Sequence, residues 1–319
     1  MQEFSFCRNA EGVRGSNLML TRSLFQRNDG SAHAVGVAPR RGEEALLHQK
    51  DERMPDFDPA HDIKIIREPS VYVLGRQTVH DAEIDRFLSD HGVSWQTDTQ
   101  VAGEHLVETA GRICYMSFAK PRPGGNQAYI GHILQVGHGS VLEHAVWNLL
   151  FTGVSRSLTH ELIRHRAGFG YSQLSQRYVD ESIAEYVEPD CIADDPDMHR
   201  LWLDAVADAH KAYLQLTEKL LRVFESEPDK TLRRKLARQA ARSVLPNATE
   251  TKIFVTANAR ALRHFIELRG NRHAETEIRK LAVAVLKIMQ QEAPNLFGDY
   301  QLVPLPDGTF EATTEHRKV

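Results

Sequence analysis

Between positions 164 and 178 the chain reads RHRAGFGYSQLSQRY. Arg164, His165 and Arg166 stand side by side, and Gln173, Ser175 and Arg177 follow with amide, hydroxyl and guanidinium donors. A guanidinium offers parallel N–H donors that match phosphate or carboxylate, and a nearby hydroxyl adds another donor. Side chains of three consecutive residues point in different directions in either helix or strand, so the triplet can address separate groups of a large polyanion. Ser175 and Arg177, two residues apart, would share a face if extended. Arg164 and Arg166 could instead just complement a helix dipole, worth about 0.3–1 kcal/mol each. That accounts for the charges and not for the donors after them.

The elements that must position these groups follow from periodicity. Ala145, Trp147, Leu149 and Phe151 alternate with less apolar neighbours, which predicts a strand over 143–152 that Gly153 breaks. Val154, Leu158 and Leu162 recur every four residues and predict a helix that delivers Arg164–Arg166 at its end, with Gly168 and Gly170 suited to leaving it. Upstream, IKIIREPSVYVLGRQ offers two β-rich pieces around Pro69, DAEIDRFLSDHG and GEHLVETAGRICYMSF two helices, and 127–136 a third. Downstream, Trp202 to Phe224 trace one face of a long helix stopped by Pro228, and a second helix ends at Pro246. ETKIFVTAN is a strand, ARALRHFIEL a helix, and AETEIRKLAVAVLKIMQQEAP another long helix. The fold class is α+β, a single mixed domain over 62–319 with long helices on a small, mostly antiparallel sheet.

Residues 1–61 are polar, Gly/Pro-punctuated and without sustained periodicity, and read as a disordered extension. With 41% hydrophobic and 26% charged residues among 319, the remainder can bury a substantial core. The net charge of −4 argues against a surface devoted to nucleic acid, so any anion site is local. Cys7, Cys114 and Cys191 have neither disulfide-framework nor zinc spacing, and no metal is expected. No apolar run reaches membrane-spanning length, and a cytoplasmic location is expected.

Several segments together carry a family resemblance. RHR followed by SQLSQRY resembles the signature of the flavin-dependent thymidylate synthases, although Ser175 follows RHR after eight residues where the family has seven. GHGSVLEHAVW at 137–147 is similar to the family's His-x-Ser/Thr-x-x-Glu-His element, and GRICYMS at 111–117 resembles an earlier helix end. The stretch 241–279 matches in order and spacing, so the resemblance runs from about Lys64 to Tyr300.

The resemblance implies reductive methylation of dUMP to dTMP, with FAD as cofactor, methylenetetrahydrofolate as carbon donor and NADPH as reductant. It implies a homotetramer whose sites combine residues of several subunits, small-molecule substrates, and neither nucleic acid nor membrane as partner. By the same resemblance, Arg164, His165, Arg166, Ser140, Asn258 and Arg260 bind FAD, with His138, Glu143 and His264 in the same elements. Gln173, Ser175 and Arg177 take the phosphate and sugar of dUMP, Arg164 also reaches toward the nucleotide, and Glu161, standing where relatives often carry Gln, is counted with the substrate-binding residues. Arg242 and Arg269 face the pyrimidine. Arg269 is the catalytic candidate, because a permanently charged guanidinium beside N3 and O4 stabilises an electron-rich uracil.

Three other readings compete. A relative acting on another uridine nucleotide such as UMP differs only at the ribose 2′ position. The six-residue spacing of His138 and His144 puts them about 240° apart on a helix, which excludes the metalloprotease pairing. Arg234, Arg238 and Arg242 share a helical face within the basic run 233–242, which suggests an RNA-binding module; that run lacks the interleaved aromatics such a module uses.

Overall fold

The structure, a computed structural model, describes residues 63–119, 123–183 and 185–317. The expected extension over 1–61 lies outside the described residues. The strands are β1 (Lys64–Ile66), β2 (Ser70–Arg76), β3 (Val146–Ser155), β4 (Phe169–Gln173), β5 (Glu185–Val187), β6 (Glu250–Asn258), β7 (Gln301–Pro304) and β8 (Phe310–Thr313). The helices are α1 (Asp81–Asp90), α2 (Ala102–Tyr115), α3 (Gly125–Val136), α4 (Arg156–Leu162), α5 (Asp190–Ala193), α6 (Pro196–Val223), α7 (Lys230–Ala241), α8 (Ala259–Arg269), α9 (Thr276–Glu292) and α10 (Pro294–Phe297).

The α+β expectation holds. A four-stranded antiparallel sheet in the order β2-β3-β6-β4 is the centre, β1 pairs with β5 in parallel, and β7 with β8 forms a hairpin. On one face of the sheet Trp147, Leu149 and Phe151 of β3 and Ile253, Val255 and Ala257 of β6 are buried. Leu262, Phe265 and Ile266 of α8 and Leu281, Val285 and Leu286 of α9 join them in the same core cluster. Each such large side chain contributes roughly 1.5–3 kcal/mol by leaving water. A second cluster of Ile63, Tyr186, Val206 and Ala207 joins β1 and β5 to α6.

Local signals explain the helix starts. Ser155 caps α4 by accepting from the Leu158 N–H at 3.0 Å. Asn258 caps α8 by accepting from Ala261 at 2.8 Å. Asp195 accepts from Asp197 and Met198 ahead of α6, whose first residue is Pro196. Each such cap is worth about 1 kcal/mol.

Two expectations are corrected. The strand expected over 143–152 starts at Val146, because Gly139–His144 coil into a 3-10 turn, and it continues past Gly153 to Ser155. Gly153 absorbs a bulge at φ 67, where the register with β6 shifts between Phe151 and Val154. Val154 therefore belongs to the sheet, and α4 begins at Arg156.

The segment after RHR is not one loop. Phe169–Gln173 pair with Ile253–Ala257 as an edge strand, which places Gly170 in β4. The chain leaves the α4 region at Gly168, whose φ is +73.

Candidate active site

Helix α4 separates two polar clusters. Arg156 opens it and Glu161 lies five residues on, an axial separation of about 7.5 Å. At the far end, Glu161 accepts from Arg269 Nη1, and Arg269 Nε donates to His165 Nε2 at 3.0 Å. Arg269 is the last residue of α8, so this contact joins α4 to α8.

His165 is only 7% exposed, whereas Arg164 and Arg166 on either side are exposed. The triplet thus splits as its geometry requires, one ring inward and two cations outward. His165 packs against Phe169, His264 and Phe265, with ring centroids 6.0, 5.6 and 5.4 Å away. Burial, then the charge of Arg269 and the ring of His264, push its pKa down to about 4. Neutral imidazole is what accepting at Nε2 demands, and it places the ring proton on Nδ1. The Tyr171 hydroxyl donates to the carbonyls of Leu162 at 2.9 Å and His165 at 2.6 Å, which fixes the turn from below. Burial and Arg269 also lower the pKa of His264, whose Nδ1 is buried with no hydrogen-bond partner in the protein.

Along α8 the other end meets the 3-10 turn. Arg260 donates to Glu143 at 2.6 Å, and a Cβ on Gly139 would lie 3.2 Å from Arg260 Nε. His138 and Ser140 are exposed on that turn, and His138 stacks with Tyr115 at 6.1 Å. Asn258 donates its backbone N–H to the Gly168 carbonyl at 3.2 Å, which ties the RHR turn to the start of α8.

At the near end of α4, Arg156 donates to the Leu174 carbonyl at 2.8 Å. Gln173 reaches Thr159 at 3.2 Å and Thr251 at 3.3 Å. Ser175 and Arg177 are not extended: Tyr178 donates to the Ser175 carbonyl at 3.1 Å, and the Ser175 hydroxyl accepts from the Arg177 N–H at 3.4 Å. Arg177 and Lys235 both approach the Tyr178 ring, at 5.6 and 5.1 Å from its centroid. Burial holds the Arg156 guanidinium below its ordinary range, with Arg242 acting the same way against Glu181 and Glu250. Arg242 therefore sits with the Ser175 cluster, while Arg269 sits at the other end of α4.

Arg156 Nε, Gln176 Nε2 and Glu181 Oε1 are buried and find no partner in the protein. Orphaned polar atoms of this kind are uncommon in folded proteins, and their clustering beside Ser175 leaves donors and an acceptor for a ligand or water. Burial also raises the pKa of Glu181.

Sequence reasoning missed Arg156, Thr159, Tyr171, Tyr178, Lys235 and Glu181. Arg156 did leave a signal, since a cation in the first turn of a helix opposes the dipole and needs another reason to be there. Thr159 and Thr251 left none, because their meeting depends on tertiary packing. The basic run is partly spoken for: Arg238 donates to Asp180 and to the Tyr178 carbonyl and its side chain is 14% exposed. Among the described residues no group of three or more His, Cys, Asp or Glu is placed to hold a metal, and no helix is long and apolar enough to cross a membrane. Cys114 and Cys191 are free and exposed.

Comparison with known proteins identifies the family. The family model described as thymidylate synthase complementing protein matches residues 97–295, from the approach to α2 to the start of α10. A flavin-dependent thymidylate synthase of Mycobacteroides abscessus is 51% identical over 225 residues, 70% of this chain and 89% of that protein. Those of Mycobacterium avium and Mycobacterium tuberculosis are 52% and 50% identical, each over 72% of this chain and 91% of theirs. In fold the chain is similar to a UMP/dUMP methylase of Streptomyces cacaoi solved with 5-Br UMP, with a TM-score of 0.53, 20% identity, and coverage of 74% of this chain and 95% of that one. With its family model matched over more than half of the chain and relatives about half identical over most of its length, the protein belongs to the flavin-dependent thymidylate synthase family.

Proposed function

We propose that the two clusters flanking α4 form one active site for the reductive methylation of dUMP to dTMP, with FAD as cofactor, methylenetetrahydrofolate as carbon donor and NADPH as reductant. The observation that carries this assignment is the Arg269 guanidinium held between Glu161 and His165 beside the exposed Arg164 and Arg166. The activity itself follows from membership of the family.

The residues present fit a flavin. Arg164 and Arg166 supply cations, Ser140 a hydroxyl, and His264 Nδ1 a buried polar atom that lacks a partner. FAD, when bound, supplies the hydride that completes the methyl group. The remaining work belongs to the chain. Arg164, His165, Arg166, Ser140, Asn258 and Arg260 hold the cofactor, with His138, Glu143 and His264 around it. Gln173, Ser175 and Arg177 take the phosphate and sugar; Arg242, expected beside the pyrimidine with Arg269, is assigned to this side instead because its charge acts on Arg156, whose orphaned Nε lies in the same cluster. Arg269 stays charged and stabilises negative charge on the pyrimidine at N3 and O4.

RHR and the Ser175–Arg177 pair are close in sequence, and a homotetramer with shared sites would enclose two large ligands more fully than one subunit does. We place the enzyme in the cytoplasm. Product analysis with NADPH, methylenetetrahydrofolate and either dUMP or UMP tests the function. Formation of dTMP supports it, whereas methylation of UMP alone selects the ribonucleotide reading.

A further inference from the structure

In the Ser175 cluster two opposite charges lie close together with no bond between them. Glu181 is 7% exposed and Gln176 5%, and Glu181 Oε1, Gln176 Nε2 and Arg156 Nε have no partner in the protein. The other charged groups around Glu181 are already engaged. Lys252 donates to Glu250 at 2.9 Å and to Glu185 at 3.4 Å, the Gly153 N–H also donates to Glu250, and Arg238 is bonded to Asp180. Arg156 donates to the Leu174 carbonyl, not to a carboxylate. Behind Glu181 stand the buried hydroxyls of Tyr186 and Tyr213, held neutral by burial, and His210, which meets Tyr186 at Nδ1 and the Ser182 carbonyl at Nε2. Burial raises the pKa of Glu181, and the charge of Arg156 is the strongest influence in the opposite direction. Arg156 is therefore the cation on which an ionised Glu181 depends.

We propose that Glu181 takes up a proton from solvent when the nucleotide phosphate binds in the Ser175 cluster, so that the phosphate meets a neutral acid and not a buried carboxylate. The inference rests on the assignment of the phosphate to this cluster. A phosphate dianion draws on the Arg156 charge that otherwise offsets Glu181, and it adds negative charge beside it. Two anions sharing a buried site raise each other's pKa until one of them is protonated. Arg177, Arg242 and the Ser175 hydroxyl keep the phosphate ionised, whereas Glu181 has only Arg156 free to support it, so the proton goes to Glu181. Protonation also gives the carboxyl an O–H donor, where an unpartnered carboxylate oxygen could only accept.

Two measurements on the flavin-loaded enzyme read this proton. Calorimetric titration with dUMP in PIPES, HEPES and imidazole buffers, at one pH and ionic strength, converts the buffer dependence of the heat into protons taken up per site. Near neutral pH the wild type should take up about 0.3 protons or more beyond Glu181→Gln, and its dUMP affinity should then fall about twofold further per unit rise in pH. Infrared difference spectra with and without dUMP should gain a protonated-carboxyl band in the wild type that Glu181→Gln lacks. If the glutamine variant does not fold, the wild-type spectrum decides by the presence or absence of that band. Equal proton uptake in wild type and Glu181→Gln, or a proton found on the bound phosphate by phosphorus NMR, would overturn the proposal. A wild-type enzyme that binds no dUMP would instead remove the phosphate assignment on which this inference stands.

Discussion

Arg269 Nε donates to His165 Nε2 at 3.0 Å, across 104 residues of sequence. This single bond fixes the imidazole as a neutral acceptor and aims a guanidinium from the end of α8 back toward α4. Arg269→Ala should consequently retain FAD and lose most of its turnover, about 10²- to 10³-fold, the usual scale for losing one charged transition-state donor. Arg269→Lys should recover little, since a single ammonium cannot serve both Glu161 and His165 as a planar fork does. Steady-state kinetics with flavin content measured in parallel decide the matter; unchanged turnover in Arg269→Ala would remove its catalytic role.

Arg166 is exposed next to a buried His165 and forms no part of the core. Arg166→Ala should leave the unfolding temperature close to wild type and weaken FAD retention through gel filtration. Full retention would argue that the outward cations face something other than flavin.

The acidic limb of stability should report His165. Its pKa is about 4 in the folded chain and near the ordinary 6.5 when unfolded, so between those values the unfolded chain binds the extra proton. The contribution from His165 is complete above pH 6.5 and disappears as pH falls toward 4, up to about 3 kcal/mol in all. His165→Gln, which can still accept from Arg269, should flatten the loss of stability over that window. Parallel slopes for wild type and variant in urea unfolding at pH 4 to 7 would show that the imidazole is not held neutral.

Gly168 takes φ +73, and a Cβ there would lie 2.7 Å from Asn258 Nδ2 and 2.8 Å from the Ala261 Cβ. Gly168→Ala should therefore cost about 1–3 kcal/mol through left-handed backbone strain and displacement of the α8 cap. Thermal unfolding within error of wild type would contradict the packing of this turn on α8.

How far the sequence reveals this site depends on the range of the interactions. Helix α6 was legible because an apolar stripe runs down its face and Pro228 lies beyond its end. Strand β3 was legible in its alternation and misjudged at Gly153, because a glycine that ends a strand and one that supports a bulge look alike until the partner strand is known. Strand β4 was hidden in a segment whose arginines, glycines and serines suggest a loop; β6 provides the edge that orders it. The candidate residues were named through resemblance, and their arrangement was not. Nothing in the spacing says that Glu161 meets Arg269, or that Arg242 falls with Arg156 at the other end of α4. The eight residues between RHR and Ser175 are taken up by the Gly168 turn and the edge strand that follows it.

The central claim is most directly tested by the visible spectrum of the purified protein, reduced anaerobically with NADPH and then mixed with methylenetetrahydrofolate and dUMP. The account predicts a bound flavin that bleaches on reduction and recovers its absorbance as dTMP forms. A colourless protein that takes up no added FAD, or a reduced flavin that stays reduced with dUMP and folate present, would contradict it.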